Sequence, residues 1–326
     1  MDLPDDLAGR RVSLRHRIGE RDGRPLYSDA VGELSLTGET VTVATRRGLV
    51  RVERTAVVAV RAVPPAPPRR ASWAAVARLE TLCADAWPAL VDERRGAWRM
   101  RATCGYTARA NSALALGDPG GPTAAALDAV RAFSAAHAIP PRVAVPVGSP
   151  WDTAVAREGW VLDVGHEAGA EVSVLVAGLA EQAGLDRSDT DGRWTITLPE
   201  RPSPDWWALG LHGGTPSAAQ RHVLDPGGSP RTAFVLATDR SGAAVGQVRA
   251  TVVEDHLHVS WLTVVPGARR AGLATALVAA AASWGRTHGA RFGVLQVALH
   301  NTGARTLYAR TGWTEHHRYR NLVPPG

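Results

Sequence analysis

The sequence predicts an α/β protein with a small all-β module at its N-terminus. Three observations lead there. Residues 5–63 break into short runs of alternating apolar and polar residues between turn signals. A proline cluster, Pro64-Pro65-Ala66-Pro67-Pro68, then interrupts the chain. Beyond it, strand-like and helix-like stretches alternate, as they do where helices cover a sheet.

In the first of these regions Val12, Leu14, His16 and Ile18 alternate, followed by Leu34 and Leu36, Val41 and Val43, then Leu49 and Val52. Gly32, Gly38, Gly48 and the Arg46-Arg47 pair stand between the runs. Four or five short strands remove their exposed edges most simply by closing into a barrel. The segment 1–68 resembles an SH3-like module, which implies a docking appendage or a peptide- or nucleic-acid-binding face. Extended polyproline geometry makes residues 64–70 a semi-rigid spacer.

Residues 72–180 follow. Ser72 is placed to cap a helix whose apolar positions are Trp73, Val76, Leu79, Leu82 and Cys83. Trp98 to Arg101 reads as a strand, Ala124 to Ala136 as a helix stopped by Pro140-Pro141, and Val143 to Val147 as a strand. Asp152 to Arg157 is a helical turn and Val172 to Val176 a further strand. Residues 182–192 are polar and unpatterned, as a linker would be. The last segment, 193–326, has strand signals at Trp194–Leu198, Ala233–Thr238, Ala244–Val253 and His256–Val265.

Composition narrows the function classes. With 326 residues the chain has room for two or three domains. Its 45% hydrophobic and 21% charged residues exclude a wholly disordered chain. The longest apolar stretch, Ala274 to Trp284, is shorter than the ~20 residues that cross a bilayer. The acidic start, Met1-Asp2-Leu3-Pro4-Asp5-Asp6, lacks a secretory pattern. Cys83 and Cys104 make neither a disulfide framework nor a metal cluster, and His212, His222, His316 and His317 lack zinc-ligand spacing. The expectation is a cytoplasmic monomer or homodimer with no metal and no membrane or nucleic-acid partner. Net charge is 37 − 31 = +6 and every one of the 37 cations is arginine, since the chain contains no lysine. A GC-rich coding bias produces such a composition, so local arginine placement carries the argument.

Chemistry is concentrated in Leu257 to Ala274, where a strand of β-branched and aromatic residues passes through a Pro-Gly loop into a helix. Leu273, Leu277, Ala280, Ala281 and Trp284 line one face of that helix. Its first N–H groups are unpaired and, with the positive end of the dipole, form an anion site. Gly272 and Ala274 let a phosphate approach the backbone, and Arg269 and Arg270 add charge. The physics predicts a pyrophosphate cradle.

Arg269-x-x-Gly272-x-Ala274, preceded by Leu262-x-Val264-x-Pro266, resembles the acetyl-CoA signature of the GNAT N-acetyltransferase superfamily. Asn301-x-x-Ala304-x-x-Leu307-Tyr308-x-x-x-Gly312-Trp313 is similar to the family's late helix and strand, with Trp313 where Phe is usual. A loop motif alone is unspecific; two motifs in order with a helix and a strand between them are not. The resemblance covers residues 230–319 specifically. It implies a GNAT fold with a mixed, splayed sheet in 193–326, a degenerate GNAT-like lobe in 72–180, and acetyl-CoA as co-substrate with an amine acceptor, either a small molecule or a protein lysine. It assigns Leu262, Thr263, Val264 and Val265 to the pantetheine and thioester. Arg269, Arg270, Ala271, Gly272, Leu273, Ala274 and Thr275 take the pyrophosphate, Asn301 braces the far wall, and Tyr308 is the general acid.

An amine with a pKa near ~10.4 must lose a proton before attacking a thioester, and the leaving thiolate must gain one. Transfer is expected to be direct, in a ternary complex. The family's base is a glutamate where this chain has His258, which strand alternation places on one face with Ser260, Leu262 and Val264. Glu254, Asp255 and His300 are alternatives. Between the lobes, Thr107, Arg109, Asn111 and Ser112 are candidates for an acceptor pocket, or for an ordinary polar turn. Two other readings compete: a catalytically silent acetyl-CoA sensor, and a binding module acting through the N-terminal barrel.

Overall fold

The computed structural model describes residues 7–45, 48–63, 71–166, 169–185 and 192–325. The acidic start, the Arg46-Arg47 turn, the 64–70 spacer and residues 186–191 of the expected linker lie outside them. The chain divides into two units, Met1–Arg69 and Arg70–Gly326.

In the first unit five strands, β1 (Arg11–Arg21), β2 (Arg24–Thr37), β3 (Thr40–Thr45), β4 (Gly48–Glu53) and β5 (Val57–Ala62), pair antiparallel in the order β4-β3-β2-β1-β5. Val12, Leu14, Leu34, Val41, Val43 and Val52 face one core, as their alternation predicts. Asp22-Gly23, both at positive φ, form the two-residue turn that joins β1 to β2. The expected barrel closure is not seen among the described residues: β4 and β5 are the two edges of the sheet and do not pair.

In the second unit twelve strands share one sheet. They are β6 (Val91–Arg95), β7 (Trp98–Ala102), β8 (Ser112–Ala115), β9 (Val143–Pro146), β10 (Val161–Leu162), β11 (Glu171–Gly178), β12 (Trp194–Thr197), β13 (Arg231–Asp239), β14 (Ala244–Val253), β15 (His256–Val264), β16 (Phe292–Ala298) and β17 (Thr314–Val323). Their order is β12-β13-β14-β15-β16-β11-β17-β9-β8-β7-β6, with β10 on β17. The helices are α1 (Trp73–Asp85), α2 (Thr123–Ala136), α3 (Pro150–Arg157), α4 (Leu179–Gly184), α5 (Pro204–Gly210), α6 (Ala218–Leu224), α7 (Leu273–Thr287) and α8 (Thr302–Arg310).

Local chemistry accounts for these boundaries. The Ser72 hydroxyl accepts from the Ala75 N–H at 3.2 Å and starts α1, as expected. Ser217 and Gln220 close a capping box on α6. β6 is a sheet edge carrying Asp92, Glu93, Arg94 and Arg95, charges that discourage further pairing. Gln182, expected in a linker, is instead buried in α4. It donates to Thr311 O at 2.6 Å and accepts from Trp313 Nε1 at 2.8 Å.

β11 lies between β16 and β17, antiparallel to both, and β17 also pairs with β9. The segments 72–180 and 193–326 therefore share one continuous sheet. Its core on the α7 side joins Val248, Ala250, Leu257, Val259, Leu273, Leu277, Ala281 and Leu295. On the other side α1 packs Leu79, Leu82 and Cys83 against Val172, Val174, Val294 and Tyr319.

Candidate active site

β15 and β16 run parallel and pair only from His256–Val259 to Phe292–Leu295. Beyond that point β15 continues to Val264 and β16 to Ala298 without pairing. The strands thus part at the centre of the sheet, leaving backbone groups that face the gap without their usual strand partner. Two groups near its end are engaged: Val265 N–H bonds Val245 O at 3.0 Å, and Val264 O accepts from Arg269 Nε at 3.0 Å.

After the Pro266–Ala268 turn the chain passes through two left-handed residues, Arg270 (φ 61°) and Gly272 (φ 89°), into α7. Gly272 is the N-cap and no side chain caps the helix, so its leading N–H groups face outward beside the gap. Arg269 turns back to the strand instead of reaching over the helix end. Ala274 and Thr275 line a cavity of about 10 Å³ with Gln182, Val278, Leu307, Tyr308 and Thr311. The fold thus brings Tyr308 beside the first turn of α7. Burial pushes its phenol up to about 12, so it stays protonated at neutral pH. Its ring packs edge-on against Trp313 at 5.8 Å. Asn301 caps α8, its Oδ1 accepting from Ala304 N–H at 3.1 Å.

His258 corrects one expectation. Between the pairs Arg249–Ser260 and Gln247–Thr263, two β15 residues, Trp261 and Leu262, oppose the single β14 residue Val248, a bulge where Trp261 adopts φ 57°. The bulge reverses the alternation. Leu262 and Val264 pack with Leu257 and Val259 under α7, while His258 and Trp261 face the opposite side, toward Trp87, Trp206 and Trp207. The alternatives Glu254 and Asp255 sit at the start of β15, away from the gap, where both bind Arg78. His300 is exposed beyond the end of β16.

The side facing Trp87 is rich in buried polar groups with no hydrogen-bond partner in the protein: both amide atoms of Gln247, both ring nitrogens of His258 and the Ser260 hydroxyl. Such groups are uncommon in folded proteins, where water, an ion or a ligand completes them. Gly210, at the end of α5, has no Cβ to obstruct Gln247 and Trp261. Burial, with Arg249 and Arg109 near by, pushes His258 down to about 3, so the ring is neutral. Gln296 lies close to that ring without making a well-formed hydrogen bond to it.

Arg249, fully buried, was not legible as a site residue. It donates to Leu224 O, Val223 O and Ala86 O at 2.9, 3.2 and 3.0 Å. Those carbonyls end α6 and α1, whose negative dipole ends offset the cation. Its guanidinium and that of Arg109 lie 5.3 and 5.6 Å from the Trp87 ring.

The candidate acceptor residues separate into two groups. Asn111 holds the turn before it, accepting from Thr103 and Gly105 N–H and donating to Tyr106 O and Thr107 O. This is the polar-turn alternative, and Thr107 belongs to the same turn. Arg109 and Ser112 instead line a cavity on the α1 side of the sheet with Glu80, Cys83, Arg101, Gln296, Tyr319 and Asn321. The alternation of β7, Trp98-Arg99-Met100-Arg101, points to two faces but not to what covers each. Arg101 was missed for that reason.

A family model described as "Probable histone acetyltransferase Rv0428c C-terminal" matches residues 74–322. The chain belongs to this family. The Rv0428c N-terminal Sm-like domain model matches residues 7–61, which is the five-stranded first unit. The chain is 30% identical to "Probable histone acetyltransferase Rv0428c" of Mycobacterium tuberculosis, over 96% of this chain and 94% of that one. It is 27% identical to "Uncharacterized N-acetyltransferase YobR" of Bacillus subtilis, over 74% of this chain and 97% of that one. A GCN5-related N-acetyltransferase from Kribbella flavida shares the fold at a TM-score of 0.59 and 17% identity, over 77% of this chain and 95% of that chain. As the motifs implied, this member of the Rv0428c family is a GNAT-type N-acetyltransferase. Its described helices include none long and apolar enough to cross a membrane.

Proposed function

We propose that the protein moves an acetyl group from acetyl-CoA to an amine by direct attack, with both substrates bound together across the parted strands. The observation that carries this reading is the gap between β15 and β16 beside an α7 N-terminus that no side chain caps. An extended amide-bearing chain fits the open backbone of Leu262 and Thr263, and a diphosphate fits the amides from Gly272 to Thr275. The coenzyme would supply the activated acetyl group.

The residues divide the remaining work between two faces. Tyr308, on the α7 side, holds a proton at its phenol oxygen, and burial keeps that proton in place until a developing thiolate takes it. His258, Gln247 and Ser260 face the acceptor from the other side. At about 3, His258 is too weak a base to store a proton at neutral pH. It acts as a relay: one ring nitrogen takes the amine's proton through a water as the other releases its own, so the ring ends neutral. The tryptophans around it exclude bulk water.

The test is release of free thiol from acetyl-CoA with a panel of primary amines, together with mass detection of the acetylated product. Amine-dependent thiol release is expected. Tight acetyl-CoA binding with no thiol release for any amine would instead identify a sensor.

A further inference from the structure

A proton relayed through the His258 ring must be taken up by another group beyond it. The acids at the start of β15, Glu254 and Asp255, are held there by Arg78, away from the gap. On the α1 side, Gln296 and Arg109 lie next to the His258 ring and also border a cavity of about 20 Å³, room for one water. Glu80 of α1 is the one carboxylate on the cavity wall and is itself buried. His317 Nε2 donates to its Oε1 at 2.7 Å, and its Oε2 has no partner among the described residues. Two cations share the wall. Arg109 is committed to Gln296, giving Nε to Oε1 at 2.8 Å and Nη2 to the carbonyl at 3.2 Å. Arg101, also buried, gives Nη2 to Ser112 Oγ at 3.0 Å, while its Nε–H has no partner in the protein. A single water thus finds a free donor in Arg101 and a free acceptor in Glu80.

We infer that Glu80 is the group that finally takes the proton of the substrate amine, reached through His258 and one water in this cavity. The inference rests on the acetyl-transfer reading. An ammonium substrate loses one N–H proton before attack. It loses a second as the N–C bond to the acetyl group forms and the C–S bond breaks. The second balances the proton that Tyr308 gives the departing thiolate. The first passes through water to one His258 nitrogen, while the proton on the other nitrogen moves to the cavity water. That water hands one of its own to Glu80 Oε2, where an O–H bond forms. His317 orients the carboxylate by holding Oε1. Its Nδ1 lies 2.8 Å from Nδ1 of the half-buried His316, a chain by which Glu80 returns the proton to solvent between turnovers.

The experiment compares the full wild-type chain with Glu80→Gln, which keeps the side chain's length and its bond to His317, and with Glu80→Asp, which keeps the charge. Thiol release from acetyl-CoA is followed with a lysine peptide, propylamine and trifluoroethylamine. The first two are ammonium ions at pH 7, whereas the fluorinated amine is already neutral and has no first proton to lose. Glu80→Gln should lower kcat for the two ammonium substrates by about a hundred-fold. For trifluoroethylamine the loss should be at least about ten-fold smaller. Glu80→Asp should recover part of the loss. The same loss for all three amines, or none, overturns the inference and leaves the transferase reading standing. A wild-type chain that releases no thiol to any of the three overturns the inference, and if every other amine fails as well, the transferase reading falls with it. Thermal unfolding checks that the variants fold. Should Glu80→Gln not fold, the same contrast is read in Glu80→Asp: a greater loss for the ammonium substrates supports the inference, and an equal loss overturns it.

Discussion

Gln182 Oε1 accepts the indole hydrogen of Trp313 at 2.8 Å, and the Trp313 ring in turn packs edge-on against Tyr308. A short helix that precedes the last segment thereby fixes the wall on which the proposed proton donor rests. Gln182→Leu leaves the buried indole N–H and the Thr311 carbonyl unpaired. It should destabilise the second unit by about 2 kcal/mol, measured by urea unfolding.

Tyr308→Phe removes only the phenol oxygen. If that oxygen protonates the leaving group, kcat should fall by about a hundred-fold with little change in affinity for acetyl-CoA. The wild-type enzyme should show no loss of the donor up to about pH 11, because its phenol is held near 12. Full turnover by the variant across pH would remove Tyr308 from the chemistry.

His258 gives the fold a dependence on pH. Its folded pKa is depressed to about 3 from 6.5. Its contribution is therefore present above 6.5 and is lost as pH falls toward 3, because the unfolded chain takes up the proton first. Between pH 7 and pH 5 this ring alone should cost about 2 kcal/mol. His258→Leu should flatten that part of the stability profile. An unchanged slope from chemical denaturation at the two pH values would show that the ring titrates normally.

Gly272 sits at φ 89°, a left-handed position that costs an L side chain about 1–2 kcal/mol. Gly272→Ala should lower stability by that amount. By shifting the leading amides of α7 it should also weaken acetyl-CoA about ten-fold, read by calorimetric titration.

Much of the fold was legible because it is local. The spacing from Leu273 to Trp284 placed α7, and Ser72 placed the start of α1. The first unit's strands followed from alternation at Val12, Leu14, Val41 and Val43, but alternation cannot say whether a sheet closes, and among the described residues this one does not. Non-local features were hidden. β11 finds its partners in β16 and β17, more than a hundred residues away, which no pattern within 171–178 encodes. The bulge at Trp261 changed which side of the sheet His258 faces, and a tryptophan is not a residue whose left-handed conformation a sequence announces. Gln247 and Arg249 alternate with Val248 and Ala250 as an exposed polar face would, yet both are fully buried. Only the packing of α5 and α6 over that face distinguishes a covered polar site from a solvated one.

A crystal structure of the chain with acetyl-CoA tests the central claim most directly. The account predicts pantetheine density between the Ser260–Val264 and Gln296–Ala298 segments, the diphosphate on the amides following Gly272, and sulfur near Tyr308. A diphosphate bound elsewhere, or β15 and β16 drawn together with the coenzyme outside them, would contradict it.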